Sequence, residues 1–147
     1  MKGAIQDVTV SMFIIRDNGE ILLQQQQGDF SSSPVWGTPC FVHGDQSITV
    51  YDAAQRCLTM LGLRGKLYEI FGRELVMIAF ICTDDTIDAS LPPEYRWRSL
   101  RHVVQDTRER PARYSSKLKS SLEGVLLYLK THLKDHILID DFTHSEL

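Results

Sequence analysis

Cysteine is scarce in this chain: Cys40, Cys57 and Cys82 are the three among 147 residues. Their number is odd and their spacing unpaired, which argues against both a disulfide frame and a zinc centre. Each lies in an apolar stretch, so buried, reduced thiols are expected. No apolar run approaches the ~20 residues that a membrane-spanning helix needs. The N-terminal MKGAIQDVTV shows no secretory-leader pattern, and a cytoplasmic location is the expectation. A Gly-rich phosphate loop, a Ser-His-Asp order and paired Cys/His spacing are all missing, so P-loop, serine-hydrolase and zinc-finger chemistry have no residues to rest on. Histidine is absent before His43, and His102, His132, His136 and His144 are scattered through polar or terminal segments, where a solvated role is expected.

What remains is ordinary in bulk, at 43% apolar and 24% charged residues, and suits one domain with a single core. We expect that domain over residues 1–134, followed by an acidic tail at 135–147. The net charge of −3 is unevenly placed. Residues 1–93 carry six bases and eleven acids, residues 94–134 ten bases and four acids, and residues 135–147 four acids and no base. The middle block can attract phosphates or nucleic acid. Its plainer reading is a solvated helix face balanced by the tail.

The element order follows from periodicity. Val8–Arg16 (VTVSMFIIR) and Ile21–Gln26 read as strands joined by an Asp17-Asn18-Gly19 hairpin turn, since Asn and Gly both tolerate positive φ. The polar loop 28–34 precedes an apolar strand over Trp36–Val42 and a turn at His43-Gly44-Asp45. An amphipathic helix over 48–61 shows Val50, Ala53, Ala54, Cys57 and Leu61 at helical spacing, and Gly62 stands where a helix stops. Lys66–Phe71 and Leu75–Cys82 read as strands, the second apolar throughout and hence buried on both faces. Glu94–Leu100 reads as a further strand and Ser99–Gln105 as a short helix. Ser115 or Ser116 caps a final helix with a stripe of Leu118, Leu122, Val125, Leu126, Leu129 and Leu133.

This layout, with the run WGTPCFVHGDQSITVYDAAQRCLTMLGL at Trp36–Leu63, resembles the Nudix superfamily. W-x6-H followed by QRCLTMLGL is most similar to its isopentenyl-diphosphate isomerase branch. The resemblance covers roughly residues 8–130. It implies an α/β/α sandwich with a mixed, curved β-sheet between the 48–61 and 116–133 helices. It also implies Mg²⁺ held by helix glutamates against a substrate diphosphate. Here the three corresponding positions are Arg56, Thr59 and Met60, so a weak or missing cation site is expected. At about 100° per residue, positions 52, 56, 59 and 60 share one flank of the helix, and a hard dication needs several oxygen ligands there. Asp52 is the one acid on that flank. Lying four residues before Arg56, it is expected to pair with that base or to cap an early turn.

By the same resemblance, Trp36 matches an active-site aromatic, His43 a metal-ligand histidine and Glu74 a catalytic glutamate, with Arg73 beside it as a substrate contact. The catalytic cysteine of the isomerases falls at Phe41. Cys40 is one residue off, on the opposite side of a strand, and substitutes only through a bulge or shift. His43, Asp45 and Glu74 form the remaining candidate metal set. The bland readings are a turn residue for His43 and a core or pocket-wall residue for Trp36. Three functions stay open: a domain binding a diphosphate-containing small molecule with weak, atypical or absent hydrolysis; an isomerase-like enzyme using Cys40 and Glu74; and an interaction module using the basic block.

Overall fold

The computed structural model describes residues 8–17, 19–27, 34–44, 48–70, 76–81 and 91–132. Among these residues the sheet is mixed and seven-stranded. Strands β1 (Val8–Arg16) and β2 (Glu20–Gln27) form the expected hairpin, with Ile15 opposite Ile21 and Gly19 at φ +90° closing the turn. The strand expected over Trp36–Val42 is two strands, β3 (Pro34–Gly37) and β4 (Cys40–His43). Pro39 has no N–H to give a ladder, and the chain changes partner there. β3 pairs with β2, β4 pairs with the first half of β1, and the Pro39 carbonyl accepts from the Met12 N–H at 2.8 Å.

Helix α1 (Val50–Met60) follows, capped by the Thr49 side chain, which accepts from the Asp52 N–H. It stops as expected at Gly62, whose φ of +74° is a left-handed conformation that glycine adopts without Cβ strain. The Leu63 N–H then reaches back to the Leu58 carbonyl. β5 (Lys66–Ile70) pairs antiparallel with β6 (Val76–Ile81), and β6 lies parallel to β1 in the centre of the sheet. Every residue of β6 is buried, as its unbroken apolarity predicts. β7 (Tyr95–Ser99) adds to β2. Helix α2 (Leu100–Glu109) runs four residues beyond the expected Gln105, a 3₁₀ turn spans Pro111–Arg113, and α3 (Ser116–His132) completes the described chain. Ser115 caps α3 by accepting from the Leu118 N–H.

Strand alternation divides the core in two. On one face Val10, Met12, Ile14, Leu22, Met77, Ala79 and Ile81 pack under Ala54 and Leu58 of α1. On the other, Phe13, Ile15, Ile21, Leu23, Ile78 and Phe80 pack under Val103 and Val104 of α2 and the leucine stripe of α3. The architecture is an α/β/α sandwich. Leu133, at the end of the expected stripe, lies outside the described residues, as does the acidic tail.

Candidate functional site

Along α1 runs an open groove of about 620 Å³ lined by Asp52, Gln55, Arg56, Thr59 and Met60. These positions recur at three- and four-residue steps, so they share the exposed side of the helix, opposite the buried Ala53, Ala54 and Leu58. Met60 is 86% exposed and forms an apolar lip. Thr59 turns its hydroxyl back to the Gln55 carbonyl. The expected Asp52–Arg56 pair does not form among the described residues. Asp52 instead sits in the first turn, where a negative charge is favoured by the helix dipole. The Arg56 guanidinium therefore stands in the groove with no carboxylate partner among the described residues.

The sheet under this side of the molecule carries polar groups as well. Gln24 and Gln26 alternate with Leu23 and Gln25, which places them on the face of Leu22 and α1. Gln24 Nε2 donates to Tyr95 Oη at 3.2 Å, and Gln26 Nε2 donates to the Thr38 carbonyl at 2.9 Å. Arg16, on the same strand face, lies 3.6 Å from the Trp97 ring centroid and 3.6 Å from Glu20. Burial pulls the Arg16 guanidinium below its ordinary range, and among the described residues its buried Nε has no hydrogen-bond partner. A Gln-Gln-Gln-Gln run hides these roles, because only the pairing with β7 shows which two glutamines face inward.

The sequence-derived candidates are dispersed. Phe41 packs against the α1-side core, and alternation puts the half-buried His43 on that side also. Cys40 is exposed, contrary to the expectation of buried thiols: it heads a short strand whose alternate residues, Cys40 and Val42, face outward. Cys57 is half-buried, and burial first, with a smaller contribution from Cys40, pushes its thiol up, so it is not an activated nucleophile. Trp36 packs on the α2/α3 side of the sheet, beneath Arg96, with its ring 6.0 Å from that guanidinium. The sheet therefore separates it from α1 and from His43. Asp45, Arg73, Glu74 and Cys82 lie outside the described residues.

For Mg²⁺ the described residues do not fit. Among them no three His, Cys, Asp or Glu side chains converge, and the groove offers Asp52 as its single carboxylate.

A second arrangement escaped sequence reading. Asp106 on α2 is 4% exposed, accepts from Tyr114 Oη at 2.7 Å and faces Arg110 at 3.4 Å and Arg113 at 4.0 Å. The Tyr114 hydrogen bond, aided by the nearby cations, holds the Asp106 carboxyl below its ordinary value even though burial opposes this. Burial and the same hydrogen bond push the Tyr114 hydroxyl well above its ordinary range, so it remains a donor. Tyr114 also bridges to Trp36, and the Ser115 N–H donates to the Trp36 carbonyl, which ties the 3₁₀ turn to β3. Two arginines within a turn or two of one aspartate, followed by a tyrosine, is the pattern that would have suggested it.

No protein-family model matches the chain, and no curated protein of related sequence matches it. Solved structures do. A crystal structure of an ADP compounds hydrolase is 19% identical, over 85% of this chain and 74% of that one, with a TM-score of 0.60. The solution structure of the E. coli ORF135 protein is 18% identical over 85% and 91%, with a TM-score of 0.51. The C-terminal domain of mouse MUTYH, solved in complex with human PCNA, is 15% identical over 80% and 86%, with a TM-score of 0.50. Likeness at this level of identity establishes the fold: the chain has the Nudix-type α/β/α architecture.

Proposed function

We propose that this Nudix-type domain binds a diphosphate-containing small molecule in the α1 groove, with hydrolysis weak, atypical or absent. The observation that carries the reading is the groove's lining: among the described residues Arg56 has no carboxylate partner, and one acid stands where dication chemistry needs several converging oxygens. A guanidinium presents a planar fork of donors to phosphate oxygens and needs no bridging cation to do so. Thr59 and Gln55 add neutral hydrogen-bonding groups, and Met60 offers an apolar contact for the rest of the ligand. The fold supports the reading only as a scaffold, since folds host many functions and the site must carry the argument.

Calorimetry with nucleoside diphosphate derivatives, in Mg²⁺ and again in a chelator, tests this. We expect binding that persists in chelator, falls at least tenfold in Arg56→Glu, and is accompanied by little turnover. Mg²⁺-dependent turnover at rates ordinary for enzymes, lost in His43→Ala or Glu74→Gln, would show a working metal site and sink the proposal. Turnover of isopentenyl diphosphate to its allylic isomer, lost in Cys40→Ser, would favour the isomerase instead.

A further inference from the structure

Four arginines of the basic block, Arg96, Arg98, Arg110 and Arg113, lie on the side of the sheet away from α1. On β7, Tyr95 and Trp97 join the α1-side core, so alternation sends Arg96 and Arg98 to the other side, and both are exposed. They stand two residues apart along one strand edge, about 6–7 Å, a separation of the same order as that between successive phosphates of an extended polynucleotide. Neither has an ion-pair partner among the described residues. Trp36, under Arg96, bridges to Tyr114, the residue after Arg113, which brings β7 and the 3₁₀ turn to one side of β3. Arg113 and Arg110 are held by Asp106, whose second oxygen is engaged by Tyr114. Arg110 and Arg113 thus gather about a single buried carboxylate, with Arg96 and Arg98 along the neighbouring strand, and all four arginines are exposed. Beneath Arg96 lies the half-buried ring of Trp36.

We propose that this surface, formed by β7, the Pro111–Arg113 turn and Trp36, binds the phosphate backbone of single-stranded nucleic acid. Arginine forks match phosphate oxygens, and a Trp-backed guanidinium supplies a flat surface on which a base can stack whatever its sequence. Among the described residues the large exposed apolar side chains, Val42, Tyr51, Met60 and Leu127, lie on other elements and give this surface no wedge to insert into a bilayer. The lining suits a strand better than an acidic helix, since the arginines follow a β-strand edge and their one carboxylate is already engaged. The inference is independent of the α1 groove, which the sheet separates from it.

Fluorescence anisotropy of the full chain with labelled oligouridylate and oligothymidylate of about 12 nucleotides tests it. Affinity should fall with salt, and Arg96→Ala/Arg98→Ala should weaken binding about tenfold while reducing the log–log salt slope by about 1.4, at roughly 0.7 for each phosphate no longer neutralised. Lys130→Ala removes a charge on α3, whose neighbouring Tyr128 meets Tyr68 on β5 at the far edge of the sheet. It should leave affinity within about twofold. Unchanged melting temperatures for these exposed substitutions would show that folding is intact, and Arg98→Glu gives a second readout if the double variant is unstable. No binding at low salt, a flat salt response, equal loss in Lys130→Ala, or displacement by poly-glutamate at matched charge would each overturn the proposal. Binding to anionic vesicles in place of the oligonucleotides would do so as well.

Discussion

The two faces of the sheet are covered unequally, and the difference locates the chemistry. α2 and α3 together close one face with Val103, Val104, Leu118, Leu122, Val125, Leu126 and Leu129, all buried. The other face is covered by α1, an 11-residue helix whose buried residues are Ala53, Ala54 and Leu58. Among the described residues, a short helix with two small residues in its stripe covers that side thinly. Around it the sheet shows Gln24, Gln26, Tyr95 and Arg16, and the groove opens beside Arg56. Each face has a distinct polar device: an open one on the α1 side, and on the α2/α3 side a sealed aspartate beneath an arginine surface. Thick apolar cover leaves room for polar groups only where they are fully paired, whereas thin cover leaves them available to a ligand.

Core truncation should sharpen this contrast most. Leu118 and Leu58 are both 0% exposed, yet Leu118→Ala should cost roughly 4 kcal/mol and Leu58→Ala roughly 2.5, because a site beside an open groove can relax into its cavity. Urea unfolding measures both, and equal losses would break the comparison.

Asp106→Ala should cost about 3 kcal/mol by orphaning the Tyr114 hydroxyl and the arginines. Its carboxyl is depressed below the ordinary 3.8 in the folded protein. The stabilisation is therefore complete above that value and is lost as pH falls through the lower folded one. In thermal melts the gap between the natural chain and Asp106→Asn should be constant near neutrality and shrink below about pH 4. A gap that widened in acid would contradict the assignment.

Gly65→Ala should cost about 1–3 kcal/mol. Its Cβ would meet the Phe80 carbonyl oxygen, which β5–β6 pairing holds in place. Chemical denaturation gives the value, and a neutral result would mean that the edge by β5 is looser than its register suggests.

The smallest effects concern the caps. Thr49→Ala should cost about 1 kcal/mol and Ser115→Ala about 0.5, since the shorter helix depends more on its cap. Circular dichroism melts compare them, and the reverse order would argue that α1 is held mainly by its packing.

Much of the scaffold was legible in the residues. The Asn-Gly hairpin, the Gly62 stop, the wholly apolar β6 and the capped leucine stripe of α3 are local signals, and each element stands where its period placed it. The alternation that buries Phe13 on one face and Met12 on the other is likewise written in β1. The site was less legible. Trp36 and His43 sit seven residues apart within one apparent strand, but Pro39 divides it, and the ring and the imidazole end on opposite sides of the sheet. Asp52 and Arg56 had helix-pair spacing, which permits a contact without compelling it, because an exposed pair gains only a few tenths of a kcal/mol. Cys40 was placed in the core by its apolar neighbours, yet the edge position of β4 exposes it.

The sequence by itself determined most of the elements, the Gly62 stop, the α3 cap and which side chains share the α1 flank, because these depend on neighbours within a turn or two of chain. The tertiary structure decided which glutamines face inward, that Asp106 is sealed by Tyr114, and that arginines from β7 and the 3₁₀ turn share one surface. Those arrangements arise when separate segments pack side by side, and no local period records which segments will meet.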